Sequence, residues 1–166
     1  MKVNAAWALA EAGDTARAKL LVAELEKHYT VDMTLKKITL PFLKAAIQVN
    51  TGDSAGALAN LEVTRPYELT LSSRLAPAYL RGEAYLLARN GTAAAAEFQK
   101  LLDHPGALLN DPIAALSHLQ LGRAYAMAGD TIKARSAYQD FLTLWRDADS
   151  DVPILKEAKA EYAKLQ

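Results

Sequence analysis

The sequence predicts an all-α protein: an α-solenoid, or superhelix, of about four helical hairpins closed by a C-terminal capping helix. Three observations carry this prediction. A phrase recurs along the chain, as AGDTARAKLL from Ala12, TGDSAGALANL from Thr51 and AGDTIKARSAY from Ala128, with a blurred copy, RNGTAAAAEF, from Arg89. Aligned on their alanines, the copies put Ala18, Ala57, Ala94 and Ala134 in register at separations of 39, 37 and 40 residues, a period that belongs to stacked helical pairs. Finally, Gly13-Asp14-Thr15, Gly52-Asp53-Ser54 and Gly129-Asp130-Thr131 each join a helix stop to a helix start. Glycine accepts the left-handed conformation after a last turn, and Asp or Thr caps the next helix.

Taken in order, the apolar periodicity and the stop signals place helices at about 2–12 and 15–29, 34–50 and 54–64, 73–89 and 92–103, 112–128 and 131–146, and 153–165. The hairpins then span about 1–30, 34–66, 73–104 and 112–147 of one domain covering 1–166. The first opens at Met1 with no polar cap before it, as a piece of a larger protein would. Pro41 has no N–H to give and would fall inside the third helix unless that helix begins near Thr39. Asp111-Pro112 is a strong start, an N-cap followed by proline at the first helical position. The last helix, PILKEAKAEYAKL, has one apolar face and one of Lys and Glu, as a cap over an open end requires.

Charge and composition narrow the partners. Nineteen Lys and Arg balance nineteen Asp and Glu, so no basic field exists to hold nucleic acid or an anionic membrane. Cysteine is absent, which removes disulfides and thiolate chemistry, and no apolar run approaches spanning length. A cytoplasmic location is expected.

No motif for catalysis stands out. DADSD, Asp147 to Asp151, resembles the start of a calcium loop, but Val152 replaces the turn glycine and Ala158 the bidentate glutamate. It reads as a solvated acidic loop. His28, His104 and His118 lie on separate elements, with no second ligand one turn away. Each is assigned to packing or to the surface. Gly91, Gly106 and Gly122 are isolated, so neither a phosphate loop nor a dinucleotide fingerprint is present. The chain is therefore read as a non-enzyme with no cofactor and no metal.

The segment GEAYLLARNGTAAAAEFQKLL from Gly82 overlays GRAYAMAGDTIKARSAYQDFL from Gly122 without a gap. Gly82, Tyr85, Ala94 and Phe98, then Leu121, Gly122, Tyr125, Ala134 and Tyr138, resemble the tetratricopeptide repeat family, whose helix-turn-helix unit carries small residues and aromatics at these places. Ala6, Leu9, Ala18 and Val22, and Ala45, Gln48, Ala57 and Leu61, keep the small residues without the aromatics. Close helix approach at the small residues, with Tyr85 and Tyr125 buried between hairpins, is the packing expected. From Leu75 through Gln166 the wording is also similar to the C-terminal repeats of large bacterial signalling proteins, which follow a kinase or a winged-helix domain.

The resemblance implies a protein or peptide segment as partner, held in a groove lined by the first helix of each pair. Residue by residue, that groove would include Phe42, Asn50, Tyr79, Glu83, Leu86, Leu119, Arg123 and Met127. The leucines read equally well as covered by the neighbouring hairpin, which leaves Tyr79, Glu83 and Arg123 as the exposed recognition residues. Only Arg123 and Asn50 match the basic clamp with which some family members hold a C-terminal carboxylate, so that ligand is not expected. Arg81 stands where a buried leucine is usual and is assigned an acidic neighbour such as Asp111. The alternative to a docking module is a structural or self-association role, a homo-oligomer or a domain packed against N-terminal neighbours.

Overall fold

The structure, a computed structural model, describes residues 2–28, 31–70, 75–108 and 110–165. Among the described residues there are ten α-helices and no strand. They are α1 (Lys2–Glu11), α2 (Thr15–His28), α3 (Leu40–Asn50), α4 (Ser54–Glu62), α5 (Ala76–Leu87), α6 (Gly91–Asp103), α7 (Pro105–Leu108), α8 (Ile113–Met127), α9 (Thr131–Leu144) and α10 (Pro153–Ala163). The expected helix end at 29 and helix start at 73 lie outside the described residues. The short α7 and a 3-10 turn at Arg65–Tyr67 have no counterpart in the sequence reading.

Each helix boundary has a local cause. Gly13, Gly52 and Gly129 adopt φ of 79°, 82° and 81°, the left-handed conformation that ends a helix at small cost. The following residue then caps. Asp53 accepts from the Gly56 N–H at 2.8 Å, Asp130 from the Lys133 N–H at 3.1 Å, and Asp14 from the Arg17 N–H at 3.1 Å. In the blurred copy Arg89 takes the left-handed place at φ 59°, and Asn90 caps by accepting from Ala93 N–H at 3.1 Å. Gly91 is displaced by one place because a Cβ there would lie 2.5 Å from the Ala124 carbonyl of α8.

Pro41 is accommodated by the turn before it. A π-helical stretch at Leu35–Thr39 runs straight into α3, with the Leu40 N–H bonded to the Leu35 carbonyl. The widened turn accommodates a proline that donates nothing, so the helical path runs through Leu35–Thr39, within the expected 34–50, and its α-helical part begins at Leu40 beside Thr39. Asp111 accepts from the Ile113 N–H at 3.1 Å and starts α8 just after Pro112.

Packing follows chain order. α1, α3, α5 and α8 contact one another in succession, while α2, α4 and α6 each lie between their own partner and the next helix of that series. α9 packs on α8, and α10 on α9. Ala18, Ala57, Ala94 and Ala134 are all fully buried, at 0% exposure. Phe98 lies over Gly82 and Tyr138 over Gly122, closely enough that a Cβ would stand 2.5 Å and 2.8 Å from the two rings. Each such approach removes apolar surface from water, at roughly 1.5–3 kcal/mol per fully buried large side chain. Tyr85 and Tyr125 are half-buried, short of the burial expected. An open hollow between α6 and α9, lined by Gln99, Tyr125 and Lys133, leaves one edge of Tyr125 free, and the Lys133 ammonium sits 5.4 Å from its ring centre.

Arg81 is fully buried and does not pair with Asp111. It meets Glu68 in the turn after α4 and, through Nε, Glu97 of α6 at 2.8 Å, while its Nη1 donates to the Leu61 carbonyl at 3.2 Å. Lys100 and Arg65 complete the cluster, at 2.9 Å from Glu68 and 3.2 Å from Glu97 respectively. A buried guanidinium requires this many acceptors. Burial alone would raise the Glu97 carboxyl, but the Arg81 hydrogen bonds outweigh it and hold the group below its ordinary value.

Candidate functional site

Residues some forty positions apart along the chain meet between α5 and α8. On α5, Tyr79 and Glu83 lie one turn apart and so share a face; on α8, Gln120 and Arg123 do the same. The Gln120 amide bridges the two helices. Its Nε2 donates to Glu83 Oε1 at 3.1 Å and to the Tyr79 hydroxyl at 3.4 Å, while its Oε1 accepts from Arg123 at 3.4 Å. Arg123 then makes a two-pronged pair with Glu161 of α10, at 2.9 Å and 2.8 Å, and reaches Glu157 at 3.3 Å. The Tyr138 hydroxyl donates to the same Glu161 at 2.7 Å. A polar ladder therefore crosses from α5 through α8 to α10.

The two ends of this ladder differ electrostatically. At the α10 end, burial pushes Glu161 up, but the hydrogen bonds from Arg123 and Tyr138 reverse that and leave it below its ordinary value. At the α5 end, burial raises Glu83 to about 7, helped by the charge of Glu11 and only partly offset by the hydrogen bonds from Gln120 and Tyr79. Burial, with the Glu83 charge second, also pushes the Tyr79 hydroxyl up. Glu11 reaches this region from the end of α1, where it accepts from Trp7 Nε1 at 3.2 Å. Trp7 in turn packs edge-on against Phe42, with ring centres 5.4 Å apart.

Of the expected groove residues, Tyr79, Glu83 and Arg123 are brought together, though none stands free. Tyr79 is half-buried with its ring edge-on to Phe98 at 5.5 Å, and Arg123 is engaged by α10. Leu119 is a correction: it is 0% exposed in a cluster with Tyr138, Phe141, Leu155 and Ala158, because α10 covers that side of α8. Leu86 is half-buried against the cluster around Ala94 and Phe98, and Met127 lies beside Gly91. Asn50 is exposed and turns its amide back onto the Ala46 carbonyl at 3.2 Å. Gln120 is the residue the sequence reading missed. Its signal was present, since a glutamine stands where the corresponding residues of α3 and α5 are the buried leucines Leu43 and Leu80.

Among the described residues no group of three or more His, Cys, Asp or Glu is placed to hold a metal ion, and no helix is long and apolar enough to cross a membrane. Asp147, Asp149 and Asp151 are exposed. No protein-family model matches this chain, and no curated protein or solved structure compared with it matches either.

Proposed function

We propose that the chain is a non-catalytic interaction module of the tetratricopeptide type, an α-solenoid of about four hairpins that docks a protein or peptide segment across the ladder of Tyr79, Glu83, Gln120 and Arg123. The observation that supports this best is the convergence of side chains from successive hairpins on one face, with the Glu83 carboxylate half-buried between neutral partners. Binding energy concentrates in a few side chains, Tyr and Arg among the commonest, in desolvated surroundings. A place in a larger bacterial signalling protein, in the cytoplasm, is part of the same reading and rests on the sequence resemblance.

Selection from a displayed random-peptide library tests it. A motif enriched on the wild-type chain should lose most of its binding to a Glu83→Ala, Gln120→Ala double variant and keep it with Gln99→Ala in the hollow between α6 and α9. Binding indifferent to the ladder substitutions defeats the proposal. A second reading, self-association, draws on the exposed Trp7, Leu20, Val31 and Met33, at 38%, 71%, 89% and 61%, all in the first fifth of the chain. Light scattering decides that reading: a dimer mass abolished by Leu20→Glu supports it, and a monomer mass for the wild type removes it.

A further inference from the structure

Every charge along the ladder except one has found its opposite. Arg123 is answered by Glu157 and Glu161, and Glu161 also takes the Tyr138 hydroxyl. Among the described residues Glu83 has only the Gln120 amide and the Tyr79 hydroxyl. The charged groups acting on it are Glu11 from α1, of like sign, and Arg123 from α8, which is already committed to α10. A half-buried carboxylate beside another carboxylate is costly to keep ionised, and a cation entering there lowers that cost. The surroundings suit a cationic side chain with an aliphatic stem. Trp7 is 38% exposed and hydrogen-bonded to Glu11, and Phe42 lies against Trp7. Aromatic faces attract ammonium and guanidinium groups and pack against their methylenes.

We infer that the α1–α5 end of the ladder receives a lysine or arginine side chain of the docked segment, with Glu83 and Glu11 as its anions and the exposed Trp7 ring beside it. This rests on the docking function proposed above and assigns the partner's chemistry: a basic segment. An acidic segment would meet two carboxylates that have no ion-pair partner among the described residues. Protons compete with the cation for Glu83, so the interaction weakens as pH falls through about 7.

The test uses the full chain labelled with nitrogen-15 and three short acetylated, amidated peptides, identical except for two positions holding lysine, norleucine or glutamate. At pH 8 the lysine peptide is expected to shift the amides of Glu11, Glu83 and Gln120 saturably and to bind at least ~10-fold more tightly than the norleucine peptide. Moving to pH 6 should weaken it about tenfold, the ratio of ionised Glu83 fractions for a group titrating near 7. Glu83→Gln keeps the side-chain shape and should abolish both the lysine preference and the pH dependence. Glu11→Gln, on the exposed end of α1, should halve the preference or more without touching the α5–α8 packing. If the norleucine or glutamate peptide binds as tightly while moving the same amides, the cation assignment is overturned and docking stands. If none of the three moves these amides, both are overturned.

Discussion

Gly82 and Gly122 show how one hydrogen atom sets the spacing of two helices. Phe98 is fully buried and Tyr138 nearly so, and a methyl group at either glycine would enter the ring opposite. Because these rings are wedged among other core residues, they cannot swing away as a flexible side chain would. Gly82→Ala and Gly122→Ala should each cost about 1–3 kcal/mol by overpacking, despite the helix-favouring effect of alanine, read as a lowered urea midpoint. Arg89 runs the other way. It holds φ at 59° without glycine's freedom, so Arg89→Gly should stabilise the chain by about 0.5–1 kcal/mol. Glu83 makes a prediction with a pH sign. Its folded value, about 7, lies above the ordinary 4.5, so stability falls as pH rises between those values and is flat outside them. Glu83→Gln should therefore melt higher than wild type at pH 8 and equally at pH 4, and an equal difference at both would remove the assigned titration.

At the scale of elements, α10 is held on one side by Leu155 and Ala158 in the core and on the other by the Arg123–Glu161 pair. Exposed ion pairs contribute little, but this one is two-pronged, partly buried and shared with Tyr138, so a double-mutant cycle with Arg123→Met and Glu161→Gln should give a coupling of about 1 kcal/mol. Hydrogen exchange in α10 should quicken in either single variant while that in α5 and α6 does not. How much of this was legible depends on the range of the interaction. The elbows and the alanine register are short-range, written in glycines, caps and spacing, so the sequence showed them. The π-helical entry to α3 was visible only as a misplaced proline, since what widens a turn is not the residue that requires it. Arg81 announced itself as a polar residue where leucine was expected, and Gln120, which was passed over, carries the same signal. Their partners Glu68, Glu97 and Glu83 lie on other elements, and a one-dimensional pattern does not rank one distant carboxylate above another. The chosen Asp111 was wrong for that reason.

For the molecule as a whole, Arg81 joins units that the apolar core leaves in separate clusters. The first core cluster covers α1 to α4 and one side of α5, with Leu80 and Ala84; the others gather the rest of α5, with Ala78, Tyr79 and Tyr85, together with α6 to α10. Arg81 spans that division, tying the Leu61 carbonyl of α4 and Glu68 of the following turn to Glu97 on α6, with side-chain exposures of 1%, 5% and 8% for the three charged groups. Removing the cation alone leaves two buried carboxylates, so Arg81→Met should cost about 3–5 kcal/mol at neutral pH and let α1–α4 exchange their amides ahead of α8 and α9. Since the folded state holds Glu97 below its ordinary value, the wild-type advantage is present above the ordinary carboxylate range and is lost as pH falls through the folded value. The deficit of Arg81→Met should accordingly shrink in acid. A triple variant, Arg81→Met with Glu68→Leu and Glu97→Leu, removes the charges together and puts apolar volume in their place. It should recover most of the loss, because the cost of the single change is an uncompensated charge and not a missing attraction. If the triple variant instead unfolds at the same urea concentration as Arg81→Met, the cluster is holding the turn at 65–70 by geometry that leucine cannot reproduce, and charge balance is not what joins the two parts.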